Sequence, residues 1–242
     1  GISLNTVITF LGAITAVILL VFRDTILGFV TGIHVSTSKN LKIGDWIGIP
    51  KYNIEGNIQD INLLTTKIVN FDKTISTIPT YDLLSTEIRN HQVMYEGSSR
   101  RIKRSIYFNI KSFKFVDDEF YEKVKDINLI SEYMDRKLRE IAESKKNIPH
   151  AERIINGQQL TNIGLFRNYV LNYLKNNPKV DQDEIVLVRQ LEISPQGMPL
   201  EIYCFANKAE LVDYERIQAD IFDHILTAAQ EFDLEIMQVA KA

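Results

Sequence analysis

Residues 2–22 read ISLNTVITFLGAITAVILLVF, and no side chain in this stretch carries a charge. Thirteen of the 21 residues are Leu, Ile, Val or Phe, and the first ionisable pair, Arg23-Asp24, follows at once. At about 1.5 Å a residue, an α-helix of this length reaches ~31 Å, which matches the roughly 30 Å hydrocarbon core of a bilayer. The stretch therefore predicts a membrane-spanning helix over residues 1–23, attached to a large aqueous body.

The predicted span is more polar than a helix that faces only lipid needs to be. Its hydroxyl and amide side chains belong to Ser3, Asn5, Thr6, Thr9 and Thr15. Such groups gain nothing in hydrocarbon, whereas a helix that packs on sister helices or lines water can use them. We therefore expect the helix to assemble with copies of itself.

The flanks of the span indicate how it lies in the membrane. No basic residue precedes it, whereas it is followed by Lys39, Lys42 and Lys51. The positive-inside rule therefore predicts that the C-terminal body is cytoplasmic. The opening lacks the basic start and the small-residue cleavage site of a signal peptide. We interpret the sequence as part of a longer protein, with further transmembrane helices upstream.

Composition and motifs give no sign of a reaction centre. The balance of 28 Lys and Arg against 31 Asp and Glu argues against a nucleic-acid partner. The single cysteine, Cys204, stands in an apolar run, which favours a buried structural thiol over a nucleophile. Metal-binding spacing is absent from the four histidines, His34, His91, His150 and His224. We predict no cofactor, no metal and no enzymatic activity.

A second helix is predicted over residues 24–40. Ile26, Phe29, Val30 and Ile33 recur at i, i+3, i+4 and i+7 and so share one face, while two glycines permit close contacts elsewhere on the helix. This pattern is typical of an amphipathic helix at the membrane surface. One long helix that leaves the membrane is the alternative; we favour a bend at Arg23-Asp24.

Residues 41–98 have the pattern of a small β domain. Short β-rich runs cover residues 43–49, 54–61, 64–71 and 74–78. They are interrupted by Pro50, Gly56 and a turn signal at residues 70–73. About five short strands in a segment of this length predict a small β-barrel or rolled sheet.

Residues 99–242 alternate between strands and helices in the order βαββαβ, which predicts a ferredoxin-like α/β layer. The expected strands cover about 102–110, 184–193, 200–206 and 234–239, and the helices 161–177 and 210–232. Between the first strand and the first helix, the polar residues at about 113–160 predict an insertion with helical tracts at 117–127 and 131–145. The insertion's acidic run, Asp117–Glu119, suits the positive end of a helix dipole better than catalysis.

The main charge cluster lies where the first strand of this domain begins. Its four cations are Arg100, Arg101, Lys103 and Arg104. The simpler interpretation is a solvated or salt-bridged face of a strand. The functional alternative is a cationic rim that attracts permeating anions or anionic headgroups.

One series of motifs goes beyond composition. The chain carries, in order, FRD at 22–24, ILGFVTGI at 26–33, LKIGDWI at 41–47, EGNIQDI at 55–61 and IPT at 78–80. Further along it carries RQL at 189–191, PLEIY at 199–203 and IQADIFDHI at 217–225. This series strongly resembles the small-conductance mechanosensitive channel family of bacterial inner membranes, and most closely its miniconductance branch, over essentially the whole chain.

The resemblance implies a homoheptamer in which seven copies of the last transmembrane helix line a pore. A bent interfacial helix, an Sm-like β domain and a ferredoxin-like domain follow, and the cytoplasmic domains enclose a vestibule. The family's two hydrophobic gate positions fall on Ala16 and Leu20. Since Ala16 stands where the family usually has Leu, the seal is expected at Leu20, with Leu19 or Phe22 beside it. The family's kink glycine is replaced by Asp24.

The function that the resemblance implies is tension-gated release of small solutes through the inner membrane during hypoosmotic shock. Membrane lipid and permeating ions are then the partners of the channel, with Phe29, Val30 and Ile33 coupling the bilayer to the cytoplasmic domains. The alternative is a membrane-anchored cytoplasmic scaffold that binds a partner and conducts nothing.

Overall fold

A computed structural model describes residues 3–37 and 41–238 of the chain. The chain divides into two compact units, one up to Glu96 and one from Gly97. The first unit holds the apolar helix and a β-sheet, and the second is an α+β domain. The predicted ends of the interfacial helix, at residue 40, and of the last strand, at Val239, lie outside the described residues.

The apolar segment forms one α-helix, α1 (Leu4–Thr37), which continues through Arg23 and Asp24. The helix is not interrupted at these residues, as in the alternative of one long helix, and a bend of its axis there stays a prediction. Neither residue lacks a backbone N–H as Pro does, so the i to i−4 hydrogen bonds continue past them. Within α1, Leu4–His34 is long and apolar enough to cross a membrane.

The rest of the first unit is an antiparallel sheet, as its short β-rich runs predict. Its five strands are β1 (Trp46–Ile49), β2 (Ile54–Ile61), β3 (Thr65–Asn70), β4 (Ile75–Pro79) and β5 (Arg89–Asn90). Their order in the sheet is β4-β3-β2-β1-β5. Short helices α2 (Asp82–Ser85) and α3 (Gln92–Glu96) follow β4 and β5. The small core consists of Ile47, Ile49, Ile58, Ile68, Ile78 and Leu83.

The strand β1 begins three residues later than predicted because a turn occupies residues 42–45. Gly44 has a φ of 97°, in the left-handed region that glycine tolerates. The carboxylate of Asp45 accepts a hydrogen bond from the backbone N–H of Lys42 at 3.0 Å. The backbone N–H of Gly44 donates to the carbonyl of Ile58 in β2 at 2.8 Å, which attaches the turn to the sheet.

The second unit has the predicted alternation of strands and helices. In chain order its elements are β6 (Arg100–Phe108), α4 (Asp118–Val124), α5 (Asn128–Lys145), α6 (Asn162–Lys175), β7 (Leu187–Gln190), β8 (Met198–Ala206) and α7 (Leu211–Ala228). The antiparallel strands lie in the order β6-β8-β7. Ile102, Ile106 and Phe108 of β6 face the core that also buries the inner side chains of α6 and α7. The predicted hairpin turn at residues 194–197 joins β7 to β8.

The predicted last strand is reduced to a short contact. Ile236 forms an isolated antiparallel bridge with Phe108, flanked by backbone hydrogen bonds of 2.8 Å from Asn109 to Glu235 and from Met237 to Tyr107. A 3₁₀ turn at Ala229–Phe232 and a left-handed Asp233 precede it, so only a few residues run beside the end of β6. The chain therefore occupies the expected position at the sheet edge without forming a full strand.

The insertion is helical, as predicted, and it shares the main core. Its helix α4 is capped by Asp117, whose carboxylate accepts a hydrogen bond from the N–H of Phe120 at 2.8 Å. Phe120, Ile130 and Met134 are buried in the same hydrophobic cluster as β6, α6 and α7. The acidic run Asp117–Glu119 therefore starts a helix. The insertion is thus an integral part of the second unit.

Candidate pore helix and its contact with the β domain

The four residues predicted to form the constriction are exposed on α1. Leu20 is 73% exposed, and Leu19 and Phe22 are each just over half exposed. Ala16 lies four residues before Leu20 and so shares its face of the helix. No side chain of residues 3–24 is buried by the rest of the described chain. This apolar surface therefore needs lipid or other helices to cover it.

The polar side chains of α1 are partly satisfied within the helix itself. The hydroxyls of Thr9 and Thr15 donate to the carbonyls of Asn5 and Leu11, at 2.9 and 2.8 Å. The hydroxyls of Ser3 and Thr6 bond to each other at 2.8 Å. Such hydroxyls do not require a neighbouring helix, so polarity alone is a weaker argument for assembly than the sequence suggests.

A face of small residues gives a better argument for helix packing. Ala16 lies four residues after Gly12 and three after Ala13, so it is a neighbour of both on the helix surface. A methyl group added at Gly12 would meet no atom within 4 Å in this chain. Small residues let the backbones of membrane helices approach one another closely, and this face is open for such a contact.

The second part of α1 contacts the connection between β2 and β3 in the same unit. Gly28 and Thr31 are buried, and Thr25 and Gly32 beside them are half-buried. A Cβ at Gly28 would overlap the backbone carbonyl oxygen of Leu63, in the connection between β2 and β3. Only glycine therefore permits this approach of helix to loop.

The loop beneath Gly28 is held by hydrogen bonds of Thr80, the residue that follows β4. The carbonyl of Leu64 accepts a hydrogen bond from the N–H of Thr80 at 3.0 Å. The Thr80 hydroxyl donates to the carbonyl of Asn62 at 2.7 Å and lies 3.1 Å from the hydroxyl of Thr66. Both threonines are fully buried. The residues 62–64 therefore form a rigid seat for α1, and neither Leu63 nor Thr80 was predicted as a site residue.

The apolar face of the same helical segment points away from this seat. Ile26, Phe29, Val30 and Ile33 remain between 46% and 55% exposed. The predicted amphipathic division of the segment is therefore present in the structure, with Gly28 and Thr31 on the buried side and the large apolar side chains outward. The side chains of Leu63 and Leu64, in the loop that contacts Gly28, are also about half exposed.

The four cations near the start of β6 divide between the two faces of the sheet. Arg100 and Arg104 lie over the rings of Tyr214 and Phe222 of α7, at 4.3 and 4.8 Å. The structure therefore places two of the predicted rim residues against α7.

The other two cations, Arg101 and Lys103, project from the opposite face of β6. The Nζ of Lys103 is 3.8 Å from the buried carboxylate of Glu201, which also binds the guanidinium of Arg189 at 2.7 and 2.8 Å. The cluster is thus two pairs of cations with different surroundings.

Groups that could carry out chemistry are dispersed. Cys204 is fully buried, and burial raises the pKa of its thiol to about 12, which keeps it protonated. His224 stacks on Tyr173 at 4.1 Å and bonds to the hydroxyl of Tyr169 at 2.6 Å. Within residues 3–37 and 41–238, no three His, Cys, Asp or Glu side chains are grouped to hold a metal ion.

Family models match both parts of the chain that follow the membrane helix. Residues 24–93 match the β-domain of mechanosensitive ion channels, and residues 151–236 match the C-terminal domain of the mechanosensitive ion channel MscS. Together the two matches cover more than half of the chain.

Two curated relatives of the chain are mechanosensitive channels. The low conductance mechanosensitive channel YnaI of Escherichia coli is 24% identical over 230 residues, which cover 95% of this chain and 52% of YnaI. The small-conductance mechanosensitive channel MscMJ of Methanocaldococcus jannaschii is 31% identical over 90 residues, or 37% of this chain and 25% of MscMJ. The chain thus spans about half the length of YnaI.

Solved structures show the same fold. The cryo-EM structure of Arabidopsis thaliana MSL1 has a TM-score of 0.65 at 15% identity, covering 99% of this chain and 68% of MSL1. The closed-state crystal structure of Helicobacter pylori MscS has a TM-score of 0.57 at 16% identity, covering 100% of this chain and 74% of that one. Placement in the miniconductance branch stays a prediction. The matched domains, their order and the preceding apolar helix show that the chain belongs to the MscS-like family of mechanosensitive ion channels.

Proposed function

We propose that this chain forms the pore helix and the cytoplasmic domains of a tension-gated ion channel. The observation that carries the proposal is the construction of α1. The first part of this helix is apolar and uncovered, and its second part contacts the loop between β2 and β3 at Gly28. A helix built this way connects a membrane-embedded segment directly to a folded domain. A force on either part is therefore transmitted to the other.

Seven copies of α1 would line the pore, the number that the family resemblance implies. The proposed contact between neighbouring helices is at Gly12, where an added methyl group would meet no atom within 4 Å of the single chain. Packing of one helix on the next at this face would bury surface that otherwise contacts only lipid. At ~100° a residue, Leu20 lies about 80° around the helix from Gly12, so a contact through Gly12 leaves Leu20 free to point toward the axis.

The proposed gate is a ring of Leu20 side chains, with Leu19 and Phe22 beside it. A narrow apolar constriction does not stay wet, so it blocks ions without any bond that must break on opening. Ala16, one turn earlier, is too small to add a second seal. Membrane tension favours the state that occupies more area and thereby shifts the population toward the open pore.

Phe29, Val30 and Ile33 are proposed to couple the bilayer to the cytoplasmic domains. These side chains are about half exposed on the face of α1 opposite to Gly28 and Thr31. Lipid headgroups and acyl chains are the environment that suits an apolar face on a helix leaving the membrane. We place the channel in a bacterial inner membrane, with its C-terminal domains in the cytoplasm, where it releases small solutes during hypoosmotic shock.

The decisive experiment is a patch-clamp recording of the purified full-length protein in liposomes, with suction applied to the patch. We expect step-like currents that appear only above a threshold tension. Protein-free liposomes from the same preparation serve as the control. If membranes that contain the assembled protein stay silent up to their lytic tension, the channel proposal fails and a membrane-anchored scaffold becomes the better interpretation.

A further inference from the structure

A cleft of about 450 Å³ opens in the second unit, between α5, the start of α6 and the end of β7. It lies at the junction of the insertion with the ferredoxin-like core. Its polar lining includes Tyr133, Lys137, Gln158, Gln159, Arg167 and Gln190, together with Thr161, the residue that caps α6. The proposed channel function makes no use of this cleft.

The charge of the cleft is positive, because its lining includes two cations and no carboxylate. The ammonium group of Lys137 is 2.6 Å from Glu140, outside the cleft, so part of its charge is neutralised. Arg167 is exposed, and within the described chain its guanidinium has neither an ion pair nor a hydrogen bond. A guanidinium presents a planar fork of N–H donors that fits the oxygens of a phosphate or carboxylate group.

The rest of the polar lining is suited to hydroxyl groups. Each glutamine amide offers both donors and an acceptor, and the Tyr133 hydroxyl offers one of each. The side chains of Gln158, Gln159 and Gln190 make no hydrogen bond to any other part of the chain that the structure describes. Three unused amides around two cations therefore match a ligand with one anionic group and several hydroxyls.

The start of α6 does not itself supply the binding groups. The N–H of Ile163 donates to the side-chain oxygen of Asn162 at 2.9 Å, and the N–H of Gly164 donates to the hydroxyl of Thr161 at 3.2 Å. These backbone donors are already used. Recognition in the cleft must therefore rely on side chains, which makes it testable by substitution.

We propose that the cleft binds a small hydroxylated organic anion, either a sugar phosphate or a sugar acid. Arg167 and Lys137 hold the anionic group, while Gln158, Gln159 and Gln190 bond to the hydroxyls. The cleft has the size of a small-molecule site, about 300–1,000 Å³, and is much larger than a bare phosphate ion requires. A bound ligand would connect α5 of the insertion to α6 and β7.

The test is calorimetric titration of the full-length protein in detergent with glucose 6-phosphate, gluconate, glucose and inorganic phosphate as probes. We expect one or both of the organic anions to bind at least about tenfold more tightly than glucose and than inorganic phosphate. Binding of glucose 6-phosphate alone identifies the phosphate ester, and binding of gluconate alone identifies the carboxylate. If neither organic anion binds at 10 mM, or if bare phosphate binds as tightly, the proposal is wrong.

Two variants and a matched control tie binding to the cleft. Arg167→Gln should weaken binding of the organic anion about tenfold, because a charge-assisted hydrogen bond is lost. Gln190→Met should weaken it while leaving the affinity for inorganic phosphate unchanged. Arg139→Gln alters an exposed arginine of α5 outside the cleft and should bind as the wild type does. All three side chains are exposed, so the variants should fold. Equal affinity of all variants would overturn the proposal.

Discussion

At the scale of single residues, Leu20 is where the proposed gate is most directly testable. A hydroxyl or amide in an apolar ring stabilises water in the closed constriction. We therefore expect Leu20→Asn and Leu20→Ser to lower the opening tension in patch-clamp recordings, or to leak at rest and slow the growth of cells that express them. Ala16→Leu should raise the threshold, because it adds a second apolar ring one turn away.

The neighbouring residues provide the controls for this prediction. Substitution of Leu19 or Phe22 by Asn should alter gating less than the same change at Leu20. If Leu20→Asn opens at unchanged tension while one of these neighbours alters it, another face of α1 lines the pore. If none of the three positions affects gating, the constriction lies outside this segment.

Asp233 is a second residue whose contribution can be tested, because its side chain links the segment after α7 to two lysines of the insertion. Its carboxylate accepts hydrogen bonds from Lys114 at 2.8 Å and Lys123 at 2.7 Å, and these two bonds lower its pKa from the ordinary 3.8. A carboxylate with a depressed pKa stabilises the folded state above its unfolded pKa, and this contribution is lost as the pH falls through the lower folded value.

We therefore predict that Asp233→Asn lowers the melting temperature at pH 7 and that the difference from the wild type shrinks below pH 3.8. The carboxylate is 39% exposed, so the contribution is reduced by solvent. We expect about 0.5–1 kcal/mol, or roughly 1–4 °C. Glu231→Gln, a nearby exposed carboxylate, should leave the melting temperature unchanged. A difference that persists unchanged in acid would contradict the assigned role of the charge.

At the scale of secondary-structure elements, the contact of α1 with residues 62–64 predicts that alanine substitutions at two glycines of the helix have different effects on gating and stability. Gly28→Ala places a methyl group against the carbonyl of Leu63, and Thr80 holds that loop in place. The helix must therefore shift or detach, and we expect the opening tension to change and the melting temperature to fall. Gly32→Ala, on the same helix, meets no atom within 4 Å at its new Cβ.

Both substitutions raise helix propensity by a similar amount, about 1 kcal/mol, so Gly32→Ala is a matched control. It should retain wild-type gating and stability. If Gly28→Ala also gates normally and melts at the wild-type temperature, the contact between α1 and residues 62–64 carries no force. Gating defects in both variants would point to helix flexibility rather than to the seat.

The elements differ in how far local sequence predicts them. The strands of the first unit and the helices of the insertion follow from hydrophobic periodicity and from caps such as Asp117, which act over a few residues. The position of the last strand was predicted but its length was not, because that length depends on how the chain leaves the turn around Asp233. The apolar face of α1 was apparent from the spacing of its residues. Its contact with Leu63 joins residues far apart in sequence, and the sequence indicated it only through the glycines of the helix, which permit close contacts.

The charge cluster illustrates the same limit for a candidate site. Four cations within five residues suggest a single cationic rim, but a β-strand directs successive side chains to opposite faces of the sheet. Arg100 and Arg104 consequently meet aromatic rings of α7, and Lys103 approaches Glu201. Alternation along the strand was foreseeable once the strand was assigned, whereas the partners on α7 and β8 were not.

At the scale of the whole molecule, the uncovered surface of α1 predicts assembly. We expect native mass spectrometry of the full-length protein in detergent to show one species with seven chains, the number implied by the family resemblance. Gly12→Leu should reduce that species, because a large side chain separates helices that pack through Gly12. Val17→Leu, which alters an already large and exposed residue, is the control. Only monomers or dimers in the wild type would contradict the ring.

The proposed vestibule also predicts how charge affects permeation, because the ion concentration near a wall follows the charge of that wall. Exchange of all four cations, Arg100, Arg101, Lys103 and Arg104, for Glu should shift the reversal potential in a salt gradient toward cation selectivity. The structure allows a sharper test, since the two pairs lie on different faces. We expect Arg101→Glu with Lys103→Glu to produce most of the shift, because this pair lies on the exposed face of the sheet.

Exchange of Arg100 and Arg104 for Glu is the matched comparison, with the same change in charge on the face that meets α7. A shift confined to this second pair would place the permeation route on the α7 side of the sheet. Unchanged reversal potentials in both double variants, measured on channels that still open under tension, would show that the cations belong to a solvated surface remote from the ions. Conductance recorded in the same patches separates loss of selectivity from loss of open channels, so each of the three results assigns the cluster to one location.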